Sequence, residues 1–495
     1  MKFHKFIHAF VNLVLWMLLI IFVFPVLAVF FIWKWTVILV AKLFYNDLHC
    51  TEPNDTYFAI DDSQGIPIVN AAQIWRINGK VQINEFRKHF YKCFLSDDES
   101  RRRYRNFYCY LVKFGGYVFK KSVQEIDLEK HILERRLEPG IELESWITKW
   151  FVEDPFLPNA PLWQIVILQL PVTSQNEKCE TIFLYKNHHC LADGYGFIHL
   201  VDTLTGSSSP YLVKDEDDSF SDKLKDAFLF PLTLAEYYLG VSRTTDMFYP
   251  IKNPDSRWFL GLASMDLKSL KEIRRKTNTH FITVMMSLTI GALRRLITEK
   301  RSAEDIPTSI YTANSLPWPG HPRTTLVNHW SGGVFNIPFR TADPLERLRG
   351  ADQFFKHFHD IHMHKMVRRL IIPVTWIIPS FLMRLGHSMD LYYFRYSNTF
   401  ASLMLSEKTH YLLGHKIENM YLPLGLTKSV PTCVMFGVST SHADKVDLSI
   451  MANSEIVSSQ TDVDRLTKVY FPMEIESLQK RLQESNNNEF VIDFK

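Results

Sequence analysis

The run from Ala9 to Trp33 contains no charged residue. Its 25 residues extend about 37 Å as a helix, more than the roughly 30 Å of a bilayer's hydrocarbon core. Backbone polar groups at that depth must satisfy one another, which commits the segment to helix. It reads as a retained transmembrane anchor rather than a cleaved signal peptide, because it exceeds an ordinary signal core and lacks a small-x-small site at its end. Pro25 and the apolar continuation from Val26 to Ala41, broken by Lys34, admit a second form, a re-entrant hairpin with both termini in the cytosol. Lys2 and Lys5 on one side balance Lys34 and Lys42 on the other, so charge bias does not orient the segment.

Beyond the anchor, the remainder of the 495-residue chain is long enough for two or three compact domains, and 46% hydrophobic residues supply their cores. Fifty-six basic against 53 acidic residues leave a net charge of +3, no global field for nucleic acid. Cys50, Cys93, Cys109, Cys179, Cys190 and Cys433 show neither metal-ligand spacing nor a dense disulfide framework, which suits reduced thiols facing the cytosol.

The chemistry concentrates at Tyr185-Lys186-Asn187-His188-His189-Cys190-Leu191-Ala192-Asp193-Gly194. Thr181 to Tyr185 reads as a buried strand, and Phe197, Leu200, Val201 and Leu204 recur at helical spacing. On an extended backbone neighbouring side chains point to opposite faces, so one histidine faces a cavity while the other packs against the scaffold. His189 is the candidate general base, since a neutral imidazole can take a proton from an alcohol and return it to a leaving thiolate, with Asp193 setting its geometry. The alternative is a pair of histidines serving only as hydrogen-bonded core. Strand, paired histidines, Asp-Gly turn and helix together favour catalysis.

His188-His189-x-x-x-Asp193-Gly194 also resembles the signature of the acyl-CoA-dependent acyltransferases related to chloramphenicol acetyltransferase and the peptide-synthetase condensation domains. Further segments resemble the wax ester synthase/diacylglycerol acyltransferase branch: Pro161-Leu162-Trp163, Gly291-Ala292-Leu293-Arg294, Asn328, Asn336-Ile337-Pro338, Asp343-Pro344-Leu345-Glu346-Arg347-Leu348 and Ser397-Asn398. The resemblance runs from about residue 50 to the C-terminus. It implies an α/β fold of two sandwich subdomains with mixed sheets, meeting at a tunnel with the histidines near its middle. It implies a site of His189, His188, Asp193 and Gly194, with Pro161, Leu162, Trp163, Asn328, Ser397 and Asn398 toward substrate. Acyl-CoA would be a co-substrate, with no resident cofactor or metal, and the acceptor a long-chain alcohol or diacylglycerol, with another membrane alcohol such as a sterol as the alternative. Asp193 would pair with an arginine, Asn398 would serve the oxyanion or the interface, and Trp163 would be either a core aromatic or a wall of the acyl channel. The implied location is the endoplasmic reticulum membrane with the catalytic part in the cytosol, or the lipid droplet. Two departures stand out. Where relatives carry an Asn-Asp pair, nine residues before Gly291, this chain has Ile282-Thr283, and no Pro-Gly comes after Ser397-Asn398. They leave open a catalytically silent lipid-binding homologue.

Along the chain, the expected organisation is a membrane anchor over 1–45, a first acyltransferase subdomain over 46–205, a crossover linker over 206–255 and a second subdomain over 256–495. Tyr57–Pro67 and Trp75–Asn84 read as strands, and Phe86, Phe90 and Phe94 mark a helix. Asn54-Asp55-Thr56 is a glycosylation sequon that matters only if it faces a lumen. The charge run Asp97 to Arg105 reads as a solvated turn, with lipid head groups or coenzyme A phosphates as alternative partners. Ile126–Trp150 carries a helical pattern. Phe228–Leu239 is a packed crossover helix or a membrane-lying one. His357, His359, His362 and His364 form a basic helix face near lipid rather than a metal site. Leu370–Met383, interrupted by Pro373 and Pro379, is too short to span and reads as a tunnel wall or interfacial element. Val434–Val438 and Lys445–Ala452 pair as a hairpin, and Asp462–Leu482 is a closing helix.

Overall fold

Two mixed sheets carry the two halves of the protein. A computed structural model describes residues 2–59, 69–171, 180–210, 219–242, 257–302, 304–322, 324–388, 398–404, 408–426, 434–442 and 444–486. The first sheet runs, edge to edge, Tyr411–Leu412, His415–Tyr421, Val69–Asn78, Glu180–His188, Trp163–Gln169 and Ile132–Arg136, with Leu424–Leu426 also on Val69–Asn78. The Ile132–Arg136 and Trp163–Gln169 pair is parallel, and the other pairs are antiparallel. Ile182 to Tyr185 are all buried, because this strand is central and covered on both faces, which explains its continuous apolar run. The second sheet runs Trp330–Pro338, Ser309–Pro317, Asn398–Met404, Val434–His442, Lys445–Asn453 and Trp258–Asp266. The two-lobed α/β architecture implied by the motifs is therefore present.

The division of the chain is less linear than its composition suggests. Residues 411–426, expected in the second half, add strands to the first sheet: Met420 lies opposite Trp75 and Tyr421 opposite Ile74. Asp447 of the second sheet accepts from the Asn419 side chain at 2.9 Å and the Met420 N–H at 2.8 Å, stitching the exchanged strand to both lobes. The Ile126–Trp150 pattern is not one helix. Ile132–Arg136 is claimed by the parallel pairing with Trp163–Gln169, leaving Leu128–His131 and Leu143–Val152 helical on either side. Pro53–Thr56 is a helical turn running into a bend at 57–59 rather than a strand, and 60–68 lies outside the described residues.

The helix Ile83–Phe94 does bury Phe86, Phe90 and Phe94 in one row. Asp97 caps the next helix by accepting from the Ser100 N–H at 2.7 Å, and much of the charge run is paired within itself or its surroundings. Arg101 donates to the Gln124 and Val123 carbonyls, Arg103 pairs with Glu99, and Arg105 with Glu52.

The N-terminal segment is one continuous helix from Lys2 to Phe44, so no hairpin forms. A widened π turn over Leu19–Val23, closed by the Phe24 N–H on the Leu19 carbonyl, immediately precedes Pro25, which has no N–H to give to the turn before it. Ala9–Phe44, 36 residues, is long and apolar enough to cross a membrane.

Two of the sequence motifs turn out to serve one buried ion cluster. Gly291 lies in the helix Phe281–Thr298, which continues past Arg294, and Arg347 in the helix Pro344–Asp360, capped by Asp343. Glu474 of the closing helix Phe471–Asn486 pairs with both Arg347 and Arg295 while all but buried itself. A Cβ at Gly291 would land on the Glu474 carboxylate and the Arg347 guanidinium, so glycine is required by close approach.

Candidate active site

The strand Glu180–His188 ends where the helix Gly194–Thr205 is about to begin, and Asp193 caps that helix through the Tyr195 and Gly196 N–H groups at 3.0 and 3.1 Å. Gly194 is its first residue, where a side chain is absent next to the clamped carboxylate. His188 ends the strand and His189 opens the turn that follows it, and the two differ in burial. His188 is fully buried, its N–H donates to the Leu162 carbonyl at 2.9 Å, and its Nδ1 accepts from the Cys190 N–H at 3.2 Å. Burial, reinforced by His189 and Lys120, pushes its pKa down to about 3, so it stays neutral. His189 keeps part of its surface exposed. Its ring stacks on Phe58, centroids 3.8 Å apart, and its Nδ1 is buried without a hydrogen-bond partner. Burial lowers its pKa, partly opposed by its own main chain, by Asp193 and by the Asn328 amide.

The second lobe grips this turn. Asn328 donates to the His189 carbonyl at 2.8 Å and to Asp55 at 2.9 Å. Asp55 is in a buried ion pair with Lys120 at 2.7 Å, and Lys120 reaches Asn106 at 3.0 Å. The Asn106 amide in turn donates to the carbonyls of Leu191 and Leu326, one from each lobe. A chain of satisfied buried donors and acceptors thus fixes the histidine turn against the 326–328 segment. The sequon is part of the same framework. Asn54 is buried, donates to the Trp330 carbonyl at 2.9 Å and accepts from Arg368, so its amide is not presented as a glycan acceptor.

The partner of Asp193 is a histidine, not the expected arginine. His321 Nε2 lies 2.9 Å from Asp193 Oδ1, and the His329 N–H donates to Oδ2 at 2.6 Å. Arg368 touches the carboxylate only indirectly, through the His329 ring at 3.0 Å. Burial raises the Asp193 pKa, but His321 and the N–H groups of His329 and Gly196 outweigh it and hold it below the ordinary carboxylate value. His321 Nδ1 faces the Pro322 carbonyl at 3.0 Å. The ring thus bridges the Asp193 carboxylate and the Pro322 carbonyl, holding the carboxylate against the 321–329 segment of the second lobe. Replacing His321 by Leu should leave Asp193 without this side-chain partner and let the histidine turn relax, lowering kcat/KM about 10- to 100-fold. His321→Gln, which keeps one donor, should recover part of that loss in the same steady-state assay.

Other residues singled out by their motifs fall elsewhere. Trp163 is a core aromatic, packed on Phe90, Phe107 and His131, with its indole N–H donated to the Phe107 carbonyl at 2.9 Å. Leu162 is also buried and serves the site through its carbonyl, on His188. Pro161 lines a separate cavity of about 350 Å³ with Val123, Asp127, Lys130, His131 and Asn159. Ser397 and the side chain of Asn398 lie outside the described residues. Thr283 of the departing Ile282-Thr283 pair donates to the His280 carbonyl and to Asp352, at the start of its own helix. His362, from the histidine-rich segment, pairs with Asp226 at 2.6 Å.

Sequence reasoning missed Phe58, Asp55, Lys120, His321, His329, Trp330 and Arg368. They come from separate elements, among them the strand Tyr117–Ser122, the helical turn Pro53–Thr56 and the strand Trp330–Pro338, and meet only in the fold. The one local signal was His321 inside the turn-forming Pro317-Trp318-Pro319-Gly320-His321-Pro322. Around His189, Nδ1 of the ring, Oδ1 of Asn328 and Nε1 of Trp330 are all buried without partners, and Phe58 touches both His189 and Trp330.

No protein-family model matches the sequence, and no curated protein matches it. Solved structures do. The wax ester synthase/diacylglycerol acyltransferase from Marinobacter aquaeolei VT8 superposes with a TM-score of 0.57 at 14% identity, over 88% of this chain and 100% of that one. TRI3 trichothecene 15-O-acetyltransferase from Fusarium sporotrichioides gives 0.58 at 10% identity, over 88% and 96%. The starter condensation domain of rhizomide synthetase RzmA, solved with C8-CoA, gives 0.54 at 10% identity, over 89% and 97%. At these identities the likeness is one of fold, and it spans nearly the whole of each neighbour. The chain thus carries the two-lobed α/β fold shared by wax ester synthase/diacylglycerol acyltransferase, trichothecene acetyltransferase and the condensation domains.

Proposed function

We propose that this protein is a membrane-associated O-acyltransferase that moves a fatty acyl group from acyl-CoA to a long-chain alcohol, to diacylglycerol, or to both. The observation that carries the reading is the division of labour at the His-His turn: one neutral imidazole sealed in the scaffold, the other part-exposed at the seam of the lobes with its helix cap clamped. In this reaction His189 takes the proton of the acceptor hydroxyl, and the oxygen attacks the thioester carbonyl. The tetrahedral intermediate collapses with loss of the C–S bond, and His189 returns its proton to the departing coenzyme A thiolate. No covalent intermediate on the protein is needed. The long apolar helix keeps the site beside a bilayer, where hydrophobic acceptors are concentrated, and the endoplasmic reticulum or a lipid droplet would supply them.

Another membrane alcohol, such as a sterol, fits the same chemistry. A catalytically silent lipid-binding protein is the second reading, favoured by Thr283 serving a helix start where relatives carry an Asn-Asp pair. Expression in a host lacking neutral-lipid synthesis, with lipid mass spectrometry of the extract, distinguishes them: new wax ester, triacylglycerol or steryl ester identifies the acceptor. Abundant protein with no new ester supports the silent reading.

The pH profile gives an independent check. Protonating His189 removes the lone pair that accepts the hydroxyl proton, and burial postpones that protonation to below the ordinary histidine value of about 6.5. The acid limb of kcat/KM should therefore lie below that pH. A limb at pH 7 or above would assign the titration to a different group.

A further inference from the structure

The long helix is tied to the body at two distant points. Near its start, Asn12 is fully buried and its amide bridges the crossover helix Phe220–Ser242 across Pro231, donating to the Phe228 carbonyl at 2.8 Å and accepting from the Leu232 N–H at 3.2 Å. Trp16 donates to the same carbonyl at 2.8 Å. Two residues before Phe228, Asp226 pairs with His362, and Arg369 lies 3.8 Å from it. Near the other end, Lys34 donates to the Trp376 carbonyl at 2.7 Å with its ammonium over the Tyr117 and Trp376 rings, while Val37, Ile38 and Ala41 are buried on the body. Trp33 and Tyr117 add hydrogen bonds to Gly115 and Phe30 carbonyls.

Asn12 and Lys34 are 22 residues apart, about 33 Å of helix axis. The body therefore runs alongside the helix instead of hanging from one end. If residues 12 to 34 crossed a bilayer of about 30 Å, the part of the body lying between the two ties would sit at the depth of the hydrocarbon, and the polar group of Asp226, His362 and Arg369 would have to pass to the far side.

We propose that the helix lies within a single leaflet, roughly parallel to the membrane plane, and that the protein docks side-on to the lipid bilayer. This rests on the membrane association proposed above but not on the acyl transfer. Apolar residues that the body leaves bare flank the helix as they should for such docking. Phe220, Leu224 and Phe228, spaced by four on the crossover helix, are 80%, 62% and 52% exposed. Phe381 and Leu385, also spaced by four on the helix Ser380–Ser388, are 56% and 50% exposed. The second row sits at the Lys34 end, since the Ser380 N–H and hydroxyl both donate to the Gly116 carbonyl in the turn beside Trp33 and Val37. Between the ties Ile20, Ile21, Phe22, Val26 and Val29 are exposed. Lipid is the occupant that matches: the bare rows are apolar, one standing beside the Asn12 tie and one beside the Lys34 tie, with the exposed stretch of the long helix between them.

The test uses the full-length chain, tagged at both termini and reconstituted in sealed phosphatidylcholine vesicles carrying a phospholipid with a photoreactive acyl chain. Protease added outside should remove both tags from the same molecules, and illumination should place lipid adducts on 20–29, on the crossover helix and on 380–388. Phe220→Glu with Leu224→Glu should abolish the crossover adducts and leave those on 20–29. An N-terminal tag protected while the C-terminal tag is digested, or adducts confined to 9–33, would overturn the side-on arrangement while leaving membrane association intact. Protein recovered free of vesicles would overturn both.

Discussion

His189→Ala should abolish most ester synthesis, with kcat/KM for the acceptor falling about 10²- to 10⁴-fold, the usual contribution of a positioned general base. The measurement is single-variant kinetics on membrane preparations with labelled acyl-CoA and a long-chain alcohol or diacylglycerol. Removing this ring uncovers one face of Phe58 and frees no buried charge, so stability should change little and the loss should be chemical. His188→Ala is the contrasting case. Its ring is sealed and accepts from Cys190, so its removal should lower the yield of folded protein and leave the activity of the surviving fraction less affected. Unchanged ester synthesis by His189→Ala would remove the proposed base.

Glu474→Ala should be the most destabilising single change outside the histidine turn. The carboxylate is shared by Arg347, itself 1% exposed, and Arg295, so its loss strands a guanidinium in the interior. Breaking a buried pair in this way costs about 3–5 kcal/mol, a large share of an ordinary domain's stability. Denaturant titration of the purified protein should show the midpoint moving down at unchanged slope. Gly291→Ala drives a methyl group into the same pair and should act in the same direction. Both variants should keep the specific activity of the fraction that remains folded, because the cluster belongs to the second lobe's packing and touches none of the residues around His189. A loss of specific activity in proportion to the loss of stability would instead tie this cluster to the seam.

These two predictions also separate what motif residues do. Gly291 and Arg347 stand in segments that resemble a family of enzymes, yet each is there to enclose Glu474, and Trp163 to fill the first lobe's core. Asn328, expected toward substrate, spends its amide on the His189 carbonyl and on Asp55, and so holds the histidine turn.

The sequence alone carried the His188-His189 turn between a strand and a helix, the helical row of Phe86, Phe90 and Phe94, and an N-terminal segment too apolar to be anything but helix. Period, caps and charge-free length are short-range properties, and they are written where they act. Only the tertiary structure decided which groups meet across long stretches of chain: His321 against Asp193, Lys120 with Asp55 beneath Asn328, strands 411–426 in the far sheet, and Asn12 against Phe228. Those contacts depend on the packing of two lobes, and no single stretch of chain carries the shape of its distant partner.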